Sequence, residues 1–207
     1  MGDRDWIVTK DGQCTPCKSG REWDLLRENY RLYRFLTEVE DTVNDAEKQG
    51  EPPEIFLSQL RKLVRQLILN SYWIKTRKPE ANYIAGTSIL LLYEELGFPL
   101  TIQIEKMLPG HSSPIHNHGT WGIVAVLQGE QKNTFWQRNP TSEYQDKIAE
   151  TGTKILQSGE IISFTTEAIH SIEAVGSNPT ITLNLYGETD GSKRFMFDPI
   201  AHQAKNF

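Results

Sequence analysis

A chain of 207 residues, 38% hydrophobic and 24% charged, has the composition of an ordinary globular protein. It is long enough for one domain with an appended segment and for a core that needs no disulfides. A formal net charge of −5 leaves no basic footprint for nucleic acid, and no apolar run reaches membrane-spanning length. The polar start MGDRDWIVTK is not that of a signal peptide, so a cytoplasmic protein without membrane or nucleic-acid partners is expected.

The first landmark is Cys14-Thr15-Pro16-Cys17. Such spacing serves redox pairs and half zinc sites, but no second copy and no strand–helix context accompany it. It reads as two incidental thiols on a flexible N-terminal stretch. From Glu22 to Gln49 the pattern is helical, with Leu25, Leu32, Leu36, Val39 and Val43 on one face and Tyr33 beside them. Gly50, Pro52 and Pro53 form its stop signal. A second helix is predicted from Pro53 to Asn70, with Phe56, Leu57, Leu60, Leu63, Val64 and Leu67 as its apolar face. Arg61, Lys62 and Arg65 read as its solvated side. Between Asn70 and Tyr83 a short helix or turn is expected, interrupted by Pro79.

Strand signals dominate beyond that point. They cover Thr87–Leu92, Leu100–Met107, Trp121–Leu127 and Lys132–Gln137. After a polar loop or edge hairpin over Asn139–Thr151, they resume at Lys154–Leu156, Glu160–Phe164, Ile169–Ala174 and Thr180–Tyr186. Closely spaced strands with glycine turns and no intervening helices indicate an antiparallel barrel or jelly roll. The expected organisation is a helical segment over 1–80, a barrel over 81–198 and a tail over 199–207.

Within the strands, GHSSPIHNHGTWGIVAVLQG, from Gly110 to Gly129, carries the chemistry. Residues two apart on an extended strand share a face, so His116 and His118 would aim at one point, as a shared metal requires. Gly119 and Gly122 suggest a bulge or a close approach to the backbone. The chain holds five His, and His170, heading a second strand pattern between Gly159 and Gly176, is the best third ligand. His111 reads as a rim residue, His202 as a bystander in the tail, and Glu105 as a surface residue that offers an oxygen ligand only as an alternative. Trp121 and Trp136 read as barrel core or pocket wall.

These two segments resemble the paired motifs of the cupin superfamily and, within it, the cysteine dioxygenase (thiol dioxygenase) family. Gly110, His116, His118 and Gly129 match the first motif, with Gly122 where most cupins place Glu. Gly159 and His170 hold the register of the second, with Thr165 and Glu167 replacing its Pro and Gly. The resemblance spans roughly residues 81–190. It implies a mainly β fold, the cupin double-stranded β-helix with N-terminal α-helices.

It also implies ferrous iron, Fe(II), on His116, His118 and His170, and dioxygen added to the sulfur of a small thiol to give a sulfinate. Ligand type alone leaves the metal open, because imidazole suits iron, zinc, copper and nickel. Thr182, Asn184 and Tyr186 align with the family's Ser, His and Tyr on a late strand, and are the implied pocket residues. Asn184 departs from that pattern, since an amide supplies no proton at neutral pH. The family's carboxylate-binding Arg has no counterpart near Thr87–Leu91, which leaves Arg77 or Arg194 to reach in from elsewhere. A cupin enzyme of another reaction, such as diketone cleavage, and a non-catalytic metal- or ligand-binding cupin remain the alternatives.

Overall fold

The structure is a computed structural model that describes residues 5–18, 30–94 and 99–206. Three helices come early in the described chain. Helix α1 (Leu32–Gln49) buries Phe35, Leu36, Val39 and Ala46; of the expected face, Leu36 and Val39 are buried, Leu32 and Val43 are half-buried, and Tyr33 is exposed. It ends at Gly50, whose φ of 64° lets the chain turn while the amide of Glu51 reaches back to the carbonyl of Ala46 at 2.9 Å. Its start differs from expectation. Arg31 is extended and Tyr30 is not helical, so no helix runs through from Glu22, and residues 22–29 lie outside the described residues. The reason is local: Tyr30 is buried, its hydroxyl donating to Glu38 at 2.7 Å and its carbonyl accepting from Ser71, which ties the chain down just ahead of the helix.

Helix α2 (Pro53–Asn70) opens on a proline, whose missing N–H costs nothing in a first turn. A short helix α3 (Tyr72–Thr76) follows. The apolar face of α2 buries Leu57, Leu60, Val64 and Leu67, each worth about 1.5–3 kcal/mol of transfer free energy. Arg61 and Arg65 are not solvated, contrary to expectation; they are 2% and 7% exposed. Arg61 donates to Ser163 Oγ at 2.6 Å, and Arg65 bonds both the Asp5 carboxylate and the carbonyl of Gly159. Asp5 itself is buried. The helix therefore presents two charges inward, where a carboxylate and a backbone carbonyl compensate them.

The strands are β1 (Asp5–Val8), β2 (Cys14–Cys17), β3 (Thr87–Glu94), β4 (Leu100–Met107), β5 (Ile115–His116), β6 (Gly122–Gln128) and β7 (Glu130–Arg138). After these come β8 (Ile148–Gln157), β9 (Ile161–Phe164), β10 (Ile169–Val175), β11 (Thr180–Gly187), β12 (Phe195–Asp198) and β13 (Gln203–Asn206). Among the described residues they form a seven-stranded sheet, β2-β1-β9-β6-β11-β4-β3, and a six-stranded sheet, β13-β12-β5-β10-β7-β8. The central orders, β4-β11-β6-β9 facing β5-β10-β7-β8, are those of a jelly roll. The expected mainly β jelly-roll fold is therefore present.

Four short strands escaped the sequence reading. The Cys14–Cys17 stretch is not a loose tail but β2, pairing antiparallel with β1, which in turn runs parallel to β9. The last described residues form β13, paired with β12, and β12 pairs with β5. The outer face of the larger sheet meets the helices: Ile102, Ile104, Leu183 and Leu185 share one buried cluster with Leu57, Leu60 and Leu67. Alternation then turns the intervening residues of β4 and β11 into the space between the sheets.

Candidate metal centre

His116 lies in β5 directly opposite His170 in β10, and their ring centroids are 4.8 Å apart. His118 lies beyond the end of β5, not within a strand as expected, yet its ring stands 5.1 Å from His116 and 4.9 Å from His170. What aims it is the residue between the pair. Asn117 points away, accepting from the amide of Phe195 at 2.7 Å and donating to the carbonyl of Lys193 at 2.8 Å. Gly119 follows at φ 68°, where a Cβ would lie 2.6 Å from the carbonyl of Asp190. This is the close backbone approach that its position suggested.

Hydrogen bonds on the far side of two rings fix which nitrogen faces inward. His116 Nδ1 donates to the carbonyl of Pro114 at 2.9 Å, and His170 Nδ1 donates to Asn133 Oδ1 at 3.2 Å. Asn133 in turn donates to Gln131 at 3.2 Å, and both are buried. Each Nε2 is then left with its lone pair toward the others, the orientation that metal-binding imidazoles require. Burial is the main cause that pulls all three His below the ordinary imidazole value, with mutual repulsion adding to it for His118 and His170. They are neutral at pH 7 and ready to donate.

Among the described residues, these three form the group whose ligand atoms all lie within 4.8 Å of one another. His118 Nε2 and His170 Nε2 are 3.2 Å apart. Two nitrogens bound to one ion at about 2.0–2.1 Å, at angles between right and tetrahedral, stand roughly 2.8–3.4 Å apart. The donor set thus fits a divalent metal held by three neutral imidazoles. No carboxylate belongs to the group.

Gly122 explains what fills the side where a motif Glu would stand. A Cβ there would meet two ring carbons of Tyr186 at 3.0 Å and His118 Nδ1 at 3.1 Å. The Tyr186 ring stands 4.8 Å from that of His118, and Phe164 packs against both His118 and His170. Of the residues predicted on the late strand, Asn184 and Tyr186 line the cavity beside the His, whereas Thr182 lies buried outside the lining. The cavity measures about 1010 Å³.

Arg194 lines this cavity as well, and Arg77 is exposed away from it. Its position just ahead of β12 could not be read from a strand pattern, because that strand is short and pairs only through β5 and β13. Glu105 is not at the surface. It lines the cavity from β4 and accepts from Asn184 at 3.0 Å, and burial raises its pKa. Burial, then the charge of Glu105, hold Tyr186 well above the ordinary phenol value, so its hydroxyl stays protonated. His111 is exposed with its ring over Gly86, and His202 packs on Tyr144 at 4.6 Å, so neither joins the cluster. Cys14 and Cys17, three apart on a strand, point to opposite faces and cannot share an ion. Burial raises the Cys14 thiol to about 11.

No protein-family model matches the chain, and no curated protein matches it. Among solved structures, the chain is similar to an oxalate oxidase in complex with the substrate analogue glycolate, at 16% identity and a TM-score of 0.42 over 56% of this chain and 57% of that one. It is similar to the cupin domain of Schizosaccharomyces pombe Cnp3, at 14% identity and a TM-score of 0.42 over 54% and 70% of the two chains. A cupin superfamily protein of Desulfitobacterium hafniense gives 15% identity and a TM-score of 0.40 over 54% and 84%. The chain thus spans 57% of the oxalate oxidase it matches. The jelly-roll assignment stands on the strand order itself.

Proposed function

We propose that the chain is a mononuclear non-haem iron oxygenase of the thiol dioxygenase type, adding both atoms of dioxygen to the sulfur of a small thiol to give a sulfinate. The observation that carries this reading is the ligand set. Three neutral imidazoles converge without a carboxylate, and the ring of Tyr186 takes the space beside Gly122. Such a set leaves the full charge of a divalent ion to draw an anionic thiolate.

Bound on His116, His118 and His170, ferrous iron would supply the redox chemistry that joins oxygen to sulfur. The remaining work falls to the chain. Pro114 and Asn133 hold two imidazoles in the donating tautomer. The Tyr186 hydroxyl, kept protonated, donates a hydrogen bond to a substrate atom placed beside His118. The Asn184 amide orients the wall next to it but releases no proton. Arg194 offers the cavity a guanidinium that favours a substrate anion. Met107, Val124 and Ile172 give it an apolar lining that limits water near the reacting atoms.

Metal content of protein purified without added metal, followed by oxygen uptake over a panel of thiols with and without ferrous iron, tests the reading. The expected result is iron-dependent uptake of one dioxygen per thiol, with sulfinate as product. In Tyr186→Phe, uptake falls about 100–1000-fold at unchanged iron content. Iron-loaded protein that consumes no oxygen with any thiol of the panel overturns the proposal.

A further inference from the structure

Four strands bound the two sheets among the described residues, β2 and β3 in the larger, β8 and β13 in the smaller. A sheet edge offers unpaired N–H and C=O groups, and folded chains ordinarily blunt it with charge, proline, a bulge or shortness. Strand β2 is four residues long and contains Pro16, and β13 is four residues long with Lys205 exposed. Strand β8 carries Glu150 and Lys154, and its register shifts against Phe135 and Trp136. Strand β3 differs. It runs for eight residues, and neither a charged side chain nor a proline occurs from Ala81 to Tyr93. Its irregularity against β4, between Leu91 and Tyr93, comes near its end.

The turn ahead of β3 settles which of its backbone groups face outward. Thr87 exchanges both backbone bonds with Ile84, and the amide of Leu108 donates to the carbonyl of Gly86 at 2.9 Å. Thr87 stands opposite Met107, so Gly86, Ser88 and Leu90 are the residues whose backbone turns to β4. Those of Ile89 and Leu91 then point away from it. Their side chains are 57% and 47% exposed. Ile89 lines the rim of the cavity with Thr87, and alternation puts Leu91 on the same face.

We propose that this edge pairs antiparallel with the same edge of a second copy, across a two-fold axis at Leu90. In that register Ile89 exchanges two hydrogen bonds with the partner's Leu91, Leu91 exchanges two with the partner's Ile89, and Leu90 meets its own copy. An axis at Ile89 would direct Leu91 to Thr87, already bonded to Ile84. An axis at Leu91 would direct Ile89 to Tyr93, beyond the irregularity. At Leu90 the exposed apolar side chains lie against each other on one face of a continuous sheet. Glu94 falls opposite Gly86 rather than its own copy, so no like charges meet. Because Ile89 stands at the rim of the cavity, the partner's Leu91 joins that rim. Eight residues of strand span about 26 Å, and one ladder of that length covers less than the roughly 800 Å² per partner of a stable complex. The dimer is therefore weak and forms at micromolar concentrations. The inference depends on neither the metal nor the reaction.

Sedimentation velocity of the full chain from about 1 to 300 μM is expected to show monomer passing to dimer. Amide hydrogen exchange at the two ends of that range should find Ile89 and Leu91 slowed about threefold or more at the higher concentration, with β2, β8 and β13 unchanged. Leu91→Lys, at an exposed position, should weaken the dimer about tenfold or more with circular dichroism unchanged. Ile89→Lys makes the same test if that variant does not fold. A chain that stays monomeric throughout the range overturns the proposal and leaves the edge to a partner of another kind. A dimer that leaves exchange at Ile89 and Leu91 unaltered, or that the lysine variants keep at native strength, overturns it as well.

Discussion

His116 and His170, 54 residues apart in sequence, face each other as a registered pair across β5 and β10. A strand of two residues would be a weak element alone, but β5 is held on both edges, by β10 through His170 and by β12 through Met196 and Phe197. Cross-strand partners have Cβ atoms only about 4.5–5.5 Å apart. The sheet therefore sets the separation of two imidazoles before any ion arrives, and Asn117 brings in the third.

Replacing any of His116, His118 or His170 by Ala should weaken metal binding by more than about 100-fold, since each removes a ligand where loss of a supporting group alone costs 10–100-fold. Metal content after dialysis against a weak chelator checks this. A variant that keeps a full equivalent of metal would remove that His from the site.

Asn133→Ala should leave the fold intact and lower metal affinity about 10–100-fold, because His170 loses the acceptor that fixes its tautomer. Competition against a chromophoric chelator measures it. An unchanged affinity would mean that His170 needs no such support.

The metal-free protein should lose stability as pH falls. Burial holds all three site imidazoles below the ordinary value, so below about pH 6.5 the unfolded chain binds protons that the folded one does not. Stability is thus fully present above that pH and declines as pH drops toward the lowered folded values. Urea midpoints at pH 8, 7, 6 and 5 should be flat over the first step and fall over the later ones. His116→Gln with His170→Gln should blunt the fall.

Gly122→Ala places a methyl 3.0 Å from the Tyr186 ring and 3.1 Å from His118 Nδ1. One of the two rings must give way, at a cost of about 1–3 kcal/mol if they are held firmly. Metal affinity and thermal stability should fall together. An unperturbed variant would show that Tyr186 is free to swing, and would weaken its assignment as a fixed donor.

Asp5→Asn should destabilise the protein by about 3–5 kcal/mol, because it leaves buried Arg65 and Arg61 without their carboxylate. Urea unfolding reads this directly. The metal site, on the other side of the sheet, should retain its affinity in the folded variant.

Much of the framework was legible because its signals are local. Strand alternation over Leu100–Met107 and Thr180–Tyr186, and the proline start of Pro53–Asn70, each depend on neighbours within one element, and the structure has β4, β11 and α2 at these places. The spacing of His116 and His118 was legible for the same reason. The short strands β1, β2, β12 and β13 were missed because four residues with mixed polarity carry no period of their own. They exist as strands only because another strand supplies their hydrogen-bond partners.

What the sequence determined unaided is the strand pattern of an antiparallel barrel or jelly roll and the His116–His118 pair, since alternation and short spacing are properties of the chain itself; that His170 joins the pair was decided by the pairing of β10 with β5. Tertiary structure alone decided that Arg61 and Arg65 turn inward to Asp5 and Gly159, that Tyr186 fills the space beside Gly122, and that Glu105 shares a wall with Asn184. Each of these joins residues more than 50 positions apart. The stability of a buried charge depends on which partner the fold brings to it, and no local pattern encodes that partner.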